Sequence, residues 1–330
     1  MNQQTAIGLD IGTSRLVTAT GNNADPIFET QLNAFISLPY ARLTESALRK
    51  ENIAHEVQNE ELIILGNDSE RLANLFHLET RRPMIRGLLN PNESGSSAIM
   101  RQFLTTLLGK EGEGRRVCFS VPGAPANAPQ ELSYHEATIR GLLTDMNYQV
   151  STINEGLAVV LAELGDTNFS GLGVSFGGGM CNVCLAYLSM PVFSFSVSKG
   201  GDFIDESAAS VAGEGPTRVR AIKEQSFYFN GVYKDQVKQA LTVYYDDVIS
   251  SVVNALAEYL SKPRNVPRMD RAIPVVISGG TSLPRGFKDR FEALLKVAAL
   301  PLAISEIRTA SDPLNSTAKG ALVAALAEMQ

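Results

Sequence analysis

The sequence predicts an α/β protein of two domains built to one plan around mixed sheets. Three observations carry this. Strand-like and helix-like segments alternate along the chain. A hairpin with a small-residue turn near the start recurs half a chain later. The 330 residues, 44% hydrophobic and 19% charged, suffice for two cores of roughly 150 residues each.

Residues 6–11 alternate apolar side chains and lead through Gly12-Thr13-Ser14 into a second β-rich run at 16–20, the pattern of a tight hairpin. Residues 35–82 carry mixed signals, with a strand expected at 62–65 and a polar, charged helix before it, and read as a small inserted subdomain. Helical spacing returns at 97–108. Residues 116–121 form a buried strand stopped by Pro122-Gly123, and 129–146 are helical again. The opening pattern then repeats as a strand at 172–176, the turn Gly177-Gly178-Gly179 and a strand at 182–187, the two turns lying 165 residues apart. A third strand, 273–278, ends at Gly279-Gly280, followed by a helix expected to open near Pro284 and run to about Val297. The last helix, at about 316–328, is apolar at Ala318, Leu322, Ala325 and Leu326.

Composition excludes several functions. The formal net charge is −6 and the basic residues are scattered, so no dense cationic surface serves nucleic acid as a main ligand. The longest apolar runs, 157–162 and 273–277, fall far short of the ~20 residues of a membrane span. About five residues precede the first strand, too few for an amphipathic N-terminal helix, and membrane contact is otherwise left open. Three cysteines and no basic, apolar leader suit a reducing, cytoplasmic setting. Cys181 and Cys184 form a CxxC, but in a strand positions i and i+3 face opposite ways, and no second pair completes a metal set. His55, His77 and His135 have polar neighbours and read as surface residues.

The glycine turns carry the chemistry. Backbone without Cβ can approach phosphate oxygens and aim several N–H groups at them, and Thr13 and Ser14 add hydroxyls. One such turn is usually only a turn, whereas three, each ending an apolar strand, point to a nucleotide. The chain has no P-loop, and Gly171-x-Gly173 lacks the third glycine and helix opening of a dinucleotide fingerprint.

Four segments in order carry a resemblance. Asp10-Ile11-Gly12-Thr13-Ser14 resembles the first phosphate motif of the actin, heat-shock chaperone and sugar-kinase ATPases. Ser175-Phe176-Gly177-Gly178-Gly179 resembles the second, Ile153-Asn154-Glu155-Gly156 the start of the connecting helix, and Ile277-Ser278-Gly279-Gly280-Thr281 the adenosine motif. Length favours bacterial actins of the MreB and MamK type, and residues 221–227 and 199–205 are similar to MamK-type segments. The resemblance implies two actin-like, ribonuclease H-like domains, 1–150 and 151–330, with five-stranded mixed sheets flanked by helices and an ATP cleft between them. It also implies a second inserted subdomain at about 201–243 and a C-terminal helix packing back on the first domain.

Roles follow from the same likeness. Asp10 would hold Mg²⁺ through water. Gly12, Thr13 and Ser14 would grip the β- and γ-phosphates from one domain, and Gly177, Gly178 and Gly179 from the other. Glu155 would orient the attacking water, Lys223 and Glu224 would lie near ribose and base unless they form a solvated helix face, and Gly279, Gly280 and Thr281 would pack against adenosine. Ser175 stands where relatives have the metal-site Asp, Asn182 replaces an acidic residue, and Met180-Cys181 replace two threonines. A hydroxyl brings no negative charge to the metal's outer shell, so weak ATPase activity is expected. Two function classes remain: a filament protein that assembles on ATP binding, and a chaperone-like switch or pseudo-ATPase that closes on a protein partner.

Overall fold

The computed structural model describes residues 6–124, 129–262 and 271–329; the few residues before the first strand lie outside them. The opening hairpin is β1 (Ile7–Ile11) and β2 (Arg15–Gly21), which β3 (Pro26–Leu32) extends into an antiparallel meander. Next come β4 (Phe35–Pro39), α1 (Arg42–Lys50), β5 (His55–Gln58), β6 (Glu61–Leu65) and α2 (Asn67–Phe76), with a separate three-stranded sheet in the order β4-β6-β5. The sequence signals there showed one strand and one helix; β4, β5 and α2 are additional. A short hairpin, β7 (Met84–Ile85) and β8 (Leu88–Leu89), leads to α3 (Ser96–Leu108), β9 (Arg116–Val121), α4 (Pro129–Asp145) and β10 (Gln149–Asn154). Strands β9 and β10 join β1 in parallel, giving the order β10-β9-β1-β2-β3. The run of four buried residues through β9 is what a parallel strand covered on both faces requires.

The second lobe repeats this design. After α5 (Glu155–Glu163), strands β11 (Gly171–Phe176), β12 (Cys181–Tyr187) and β13 (Met190–Val197) form a meander. Helices α6 (Gly201–Ala212), α7 (Pro216–Ser226) and α8 (Gln236–Ser261) lead to β14 (Ile273–Ser278), α9 (Phe287–Val297) and β15 (Ile304–Thr309). Both later strands run parallel to β11, so the order is β13-β12-β11-β14-β15. A three-stranded meander followed by two returning parallel strands is common to both lobes, and the recurrence of the glycine turn follows from it.

Each lobe has its own core, around Phe103, Phe119 and Ile139 in the first and Phe176, Phe195 and Phe291 in the second. Between them, α5 packs against α10 (Ser316–Ala327), and α10 also lies on β1 and β9. This layer is made of small residues, among them Ala158, Ala318, Ala321 and Ala325. At Gly320 the helices touch backbone to backbone: a Cβ there would lie 1.8 Å from the Ala158 carbonyl oxygen, so any side chain would push the lobes apart.

Two expectations are corrected. The helix after the third glycine turn begins at Phe287, not near Pro284, because Gly279 and Gly286 both take positive φ and a single 3₁₀ turn, Gly280–Ser282, lies between them. His135 is fully buried, not at the surface. It heads the inward stripe of α4 that continues through Ile139 and Leu143, while its polar sequence neighbours point elsewhere on the helix. Its Nδ1 accepts from the Leu89 amide at 3.2 Å, and burial pushes its pKa down to about 4. Cys181 and Cys184 are free and buried on opposite faces of β12, Cys181 in the lobe core and Cys184 against Gly156 of α5. Among the described residues no helix is long and apolar enough to cross a membrane.

Candidate functional site

The two hairpin turns are built alike. The Gly12 amide donates to the Arg15 carbonyl at 3.0 Å, and the Gly177 amide to the Met180 carbonyl at the same distance. A Cβ at either glycine would lie 2.8 Å from that carbonyl oxygen, so both turns are too tight for a side chain. The turns confront each other across the gap between the lobes. A Cβ on Gly178 would fall 2.2 Å from Ser14 Oγ, and one on Gly179 would fall 2.2 Å from Thr13 Oγ1 and 2.5 Å from the Gly87 amide nitrogen. Thr13 Oγ1 accepts from that amide at 2.8 Å, which fixes the first turn against the β7–β8 hairpin.

The third turn docks on the second. Gly279 has φ +91°, and a Cβ there would lie 2.2 Å from the Phe176 carbonyl oxygen. Thr281 Oγ1 donates to the Gly177 carbonyl at 2.8 Å. The N-terminus of α6 meets the same turn, with Gly201 and Asp202 amides on the Gly177 and Gly178 carbonyls at 3.0 and 2.8 Å. All three predicted turns therefore line one cleft, whose cavity is about 480 Å³.

Asp10 and Glu155 lie on its floor together with Ser175. Asp10 Oδ1 accepts from Ser120 Oγ at 2.7 Å, and Ser120 Oγ in turn accepts from the Ile11 amide at 3.1 Å. Glu155 opens α5, whose N-cap Asn154 accepts from the Gly156 and Leu157 amides. Asn182 Nδ2 donates to Glu155 Oε2 at 2.8 Å, and Asn182 Oδ1 accepts from the Gly123 amide at 2.8 Å. Burial pushes the pKa of both acids up, and the charge of Asp10 pushes Glu155 further.

The other end of the cleft belongs to the second lobe. Lys223 is buried, so the solvated-face reading fails for it; its Nζ bonds Asp205 Oδ2 at 2.7 Å and the Gly201 carbonyl at 3.2 Å. Glu224 is exposed and pairs with Arg220 at 3.0 Å while still lining the cleft. Phe227 and Tyr245, stacked 5.1 Å apart, close this end. Across the mouth, Arg82 of the first lobe bonds both oxygens of Asp202 at 3.0 and 2.9 Å. Asp202, Asp205, Arg220, Tyr245 and Arg82 received no role from sequence. The likeness of segment 199–205 to MamK-type segments is the one sequence signal for the two aspartates; Arg82 carries none.

Comparison with solved structures places the fold. A MamK double helical filament matches with TM-score 0.71 at 17% identity over 98% of both chains. MreB 5 of Spiroplasma citri bound to AMPPNP matches with TM-score 0.72 at 14% identity, covering 100% of this chain and 98% of that one. The ethanolamine utilization protein EutJ from Carboxydothermus hydrogenoformans matches with TM-score 0.57 at 15% identity, covering 98% and 91%. At these identities the likeness is one of fold, and the fold is the two-domain actin-like one of the MreB and MamK type. No curated protein sequence matches the chain. The volactin family matches residues 5–325, and with nearly the whole chain covered and an actin-like fold in hand, the protein belongs to the volactin family.

Proposed function

We propose that the chain binds ATP with Mg²⁺ in this cleft, that the nucleotide-bound form assembles head to tail into filaments, and that it hydrolyses ATP slowly. The observation that carries the reading is the confrontation of two equivalent glycine turns, one from each lobe, above Asp10 and Glu155. Backbone amides and the Thr13 and Ser14 hydroxyls can then grip phosphates from both sides, so the ligand holds the lobes in one relative position. The MreB 5 relative is bound to AMPPNP and MamK forms a double helical filament, which supports carrying both properties to this chain. A head-to-tail contact whose rotation does not close propagates as a filament.

The donor set suits a cation held largely through water. Among the described residues no group of three or more acidic, His or Cys side chains forms a cage, and Mg²⁺ commonly uses one or two carboxylates with waters and phosphates. Mg²⁺, when bound, would offset charge on the terminal phosphate. Glu155, oriented by Asn182, would hold a water for in-line attack. Ser175 brings no charge to the metal's outer shell, which supports slow turnover. We also propose that the lobes divide near residue 150, at β10, with 35–82 and 201–243 as inserted subdomains. Three free, buried cysteines agree with a cytoplasmic setting.

Sedimentation and electron microscopy of the purified protein with ATP, ADP and a non-hydrolysable analogue test the assembly. Pelleted filaments with ATP and the analogue are expected. A chain that stays monomeric at high concentration in every nucleotide would overturn the filament reading and favour that of a switch acting on a protein partner.

A further inference from the structure

We infer that Asn33, which belongs to none of the glycine motifs, aims the Thr13 amide into the cleft and so acts as a positioning residue for the phosphates. The inference rests on the nucleotide reading above and adds to it a residue that lies behind the cleft wall. Asn33 is fully buried between β3 and β4, where the main sheet of the first lobe passes into the inserted subdomain. It reaches the back of the first glycine turn twice. Its Nδ2 donates to the Gly12 carbonyl at 2.9 Å, and its backbone amide donates to the Ser14 carbonyl at 3.0 Å. The side chain fits only this way round, since the reverse would set Oδ1 against the Gly12 oxygen. Oδ1 is left buried without a hydrogen bond. A buried acceptor with no donor lowers stability, and a branched apolar side chain would remove that loss. The bond to Gly12 is what the amide secures in exchange.

In a trans peptide the carbonyl and the following amide point opposite ways. With the Gly12 carbonyl turned back on Asn33, the Thr13 amide points away from it, toward the cleft that Thr13 lines. That amide donates to no carbonyl among the described residues, which keeps it for a ligand. The second lobe orients its turn with backbone instead. The Gly177 and Gly178 carbonyls accept from the Gly201 and Asp202 amides at the start of α6, which turns the Gly178 and Gly179 amides the other way, and Thr281 Oγ1 adds a second donor to Gly177. Several bonds thus hold the second turn, whereas the 12–13 peptide of the first depends on one side chain. Glycine at position 12 lets that peptide rotate once the bond is gone, and a rotated peptide presents a carbonyl oxygen to phosphate where an amide should be.

The test measures the affinities for Mg·ATP and for AMP, by competition against a fluorescent ATP analogue, in wild type, in Asn33→Leu, which keeps the branched shape, and in the smaller Asn33→Val. AMP lacks the two phosphates that the turns would grip. In each variant that melts within a few degrees of wild type, Mg·ATP should bind about tenfold or more weakly, the loss expected for a hydrogen bond to a charged acceptor, while AMP stays within about threefold. Because the ratio is taken within one protein, a general loss of stability does not imitate it. An ATP-to-AMP ratio that keeps its wild-type value in either folded variant, whether both nucleotides bind normally or both weaken, overturns the inference while leaving the ATP site standing. Failure of both variants to fold makes Asn33 a residue of the core alone and overturns it too. A wild-type protein that binds neither nucleotide overturns the nucleotide reading itself.

Discussion

The two ends of the cleft are made of different materials. At the end proposed for the phosphates, both lobes contribute backbone: the Gly12 and Gly177 turns close on equivalent carbonyls at 3.0 Å, and the hydroxyls of one meet the bare Cα atoms of the other. At the end proposed for adenosine, one lobe contributes side chains, with Asp205 on α6, Lys223 on α7, Phe227 at its C-cap and Tyr245 on α8. The first construction depends on how the lobes sit relative to each other, and the second does not. Changes at the phosphate end should therefore disturb closure and chemistry together, whereas changes at the other end should alter which nucleotide binds.

The largest effect is expected on the floor of the phosphate end. Glu155→Ala should lower turnover by about 10²–10³ in a steady-state phosphate-release assay, with ATP affinity largely kept. Glu155→Gln sharpens the point. Burial and Asp10 raise the folded-state pKa of Glu155, so above the ordinary glutamate range the folded chain keeps a proton that the unfolded chain has released. Stability is then lost as pH rises through that window toward the raised value. The glutamine variant escapes this loss and should be about 1–2 kcal/mol more stable near neutral pH, the gain vanishing at acid pH; equal denaturant midpoints across the pH series would remove the argument.

Ser175→Asp comes next. A carboxylate there should raise turnover by roughly tenfold or more, part of the contribution of one preorganised charge. It also adds a third acid beside Asp10 and Glu155, so the nucleotide-free variant should melt lower and recover with Mg·ATP. A slow rate left unchanged by the substitution means that another group completes the metal site. Gly179→Ala tests the meeting of the lobes. Its Cβ would lie 2.5 Å from the Gly87 amide nitrogen, and overpacking of about 1–3 kcal/mol should weaken ATP binding about tenfold, while an alanine that binds ATP normally shows that the turns need not meet. The smallest effect is expected at the rim, where the Arg82–Asp202 pair is partly exposed. Arg82→Ala should speed nucleotide release by only a few-fold, in keeping with about 0.2–1 kcal/mol for such pairs; a change of a hundredfold in stopped-flow release would make the pair a principal latch.

The same contrast explains what could be read from the sequence. A backbone turn too tight for Cβ leaves glycine in the sequence, and Gly12, Gly177 and Gly279 mark such turns directly. The buried stretches 117–119 of β9 and 273–277 of β14 show as apolar runs. Asp205 and Tyr245 meet only because α6 and α8 pack together, and nothing local distinguishes such an aspartate from a surface one. The buried position of His135 is hidden for a related reason, since helical periodicity, not its polar neighbours, decides which way it points. In the 35–82 segment, β5 leaves its middle residues exposed and has no buried face to declare it.

The central claim, that the cleft between the lobes is an ATP site, is tested most directly by calorimetric titration of the purified wild-type chain with ATP in the presence of Mg²⁺. Saturable binding of one nucleotide per chain, weakened in Gly179→Ala, is the predicted result. No binding of any adenine nucleotide up to millimolar concentration would contradict it.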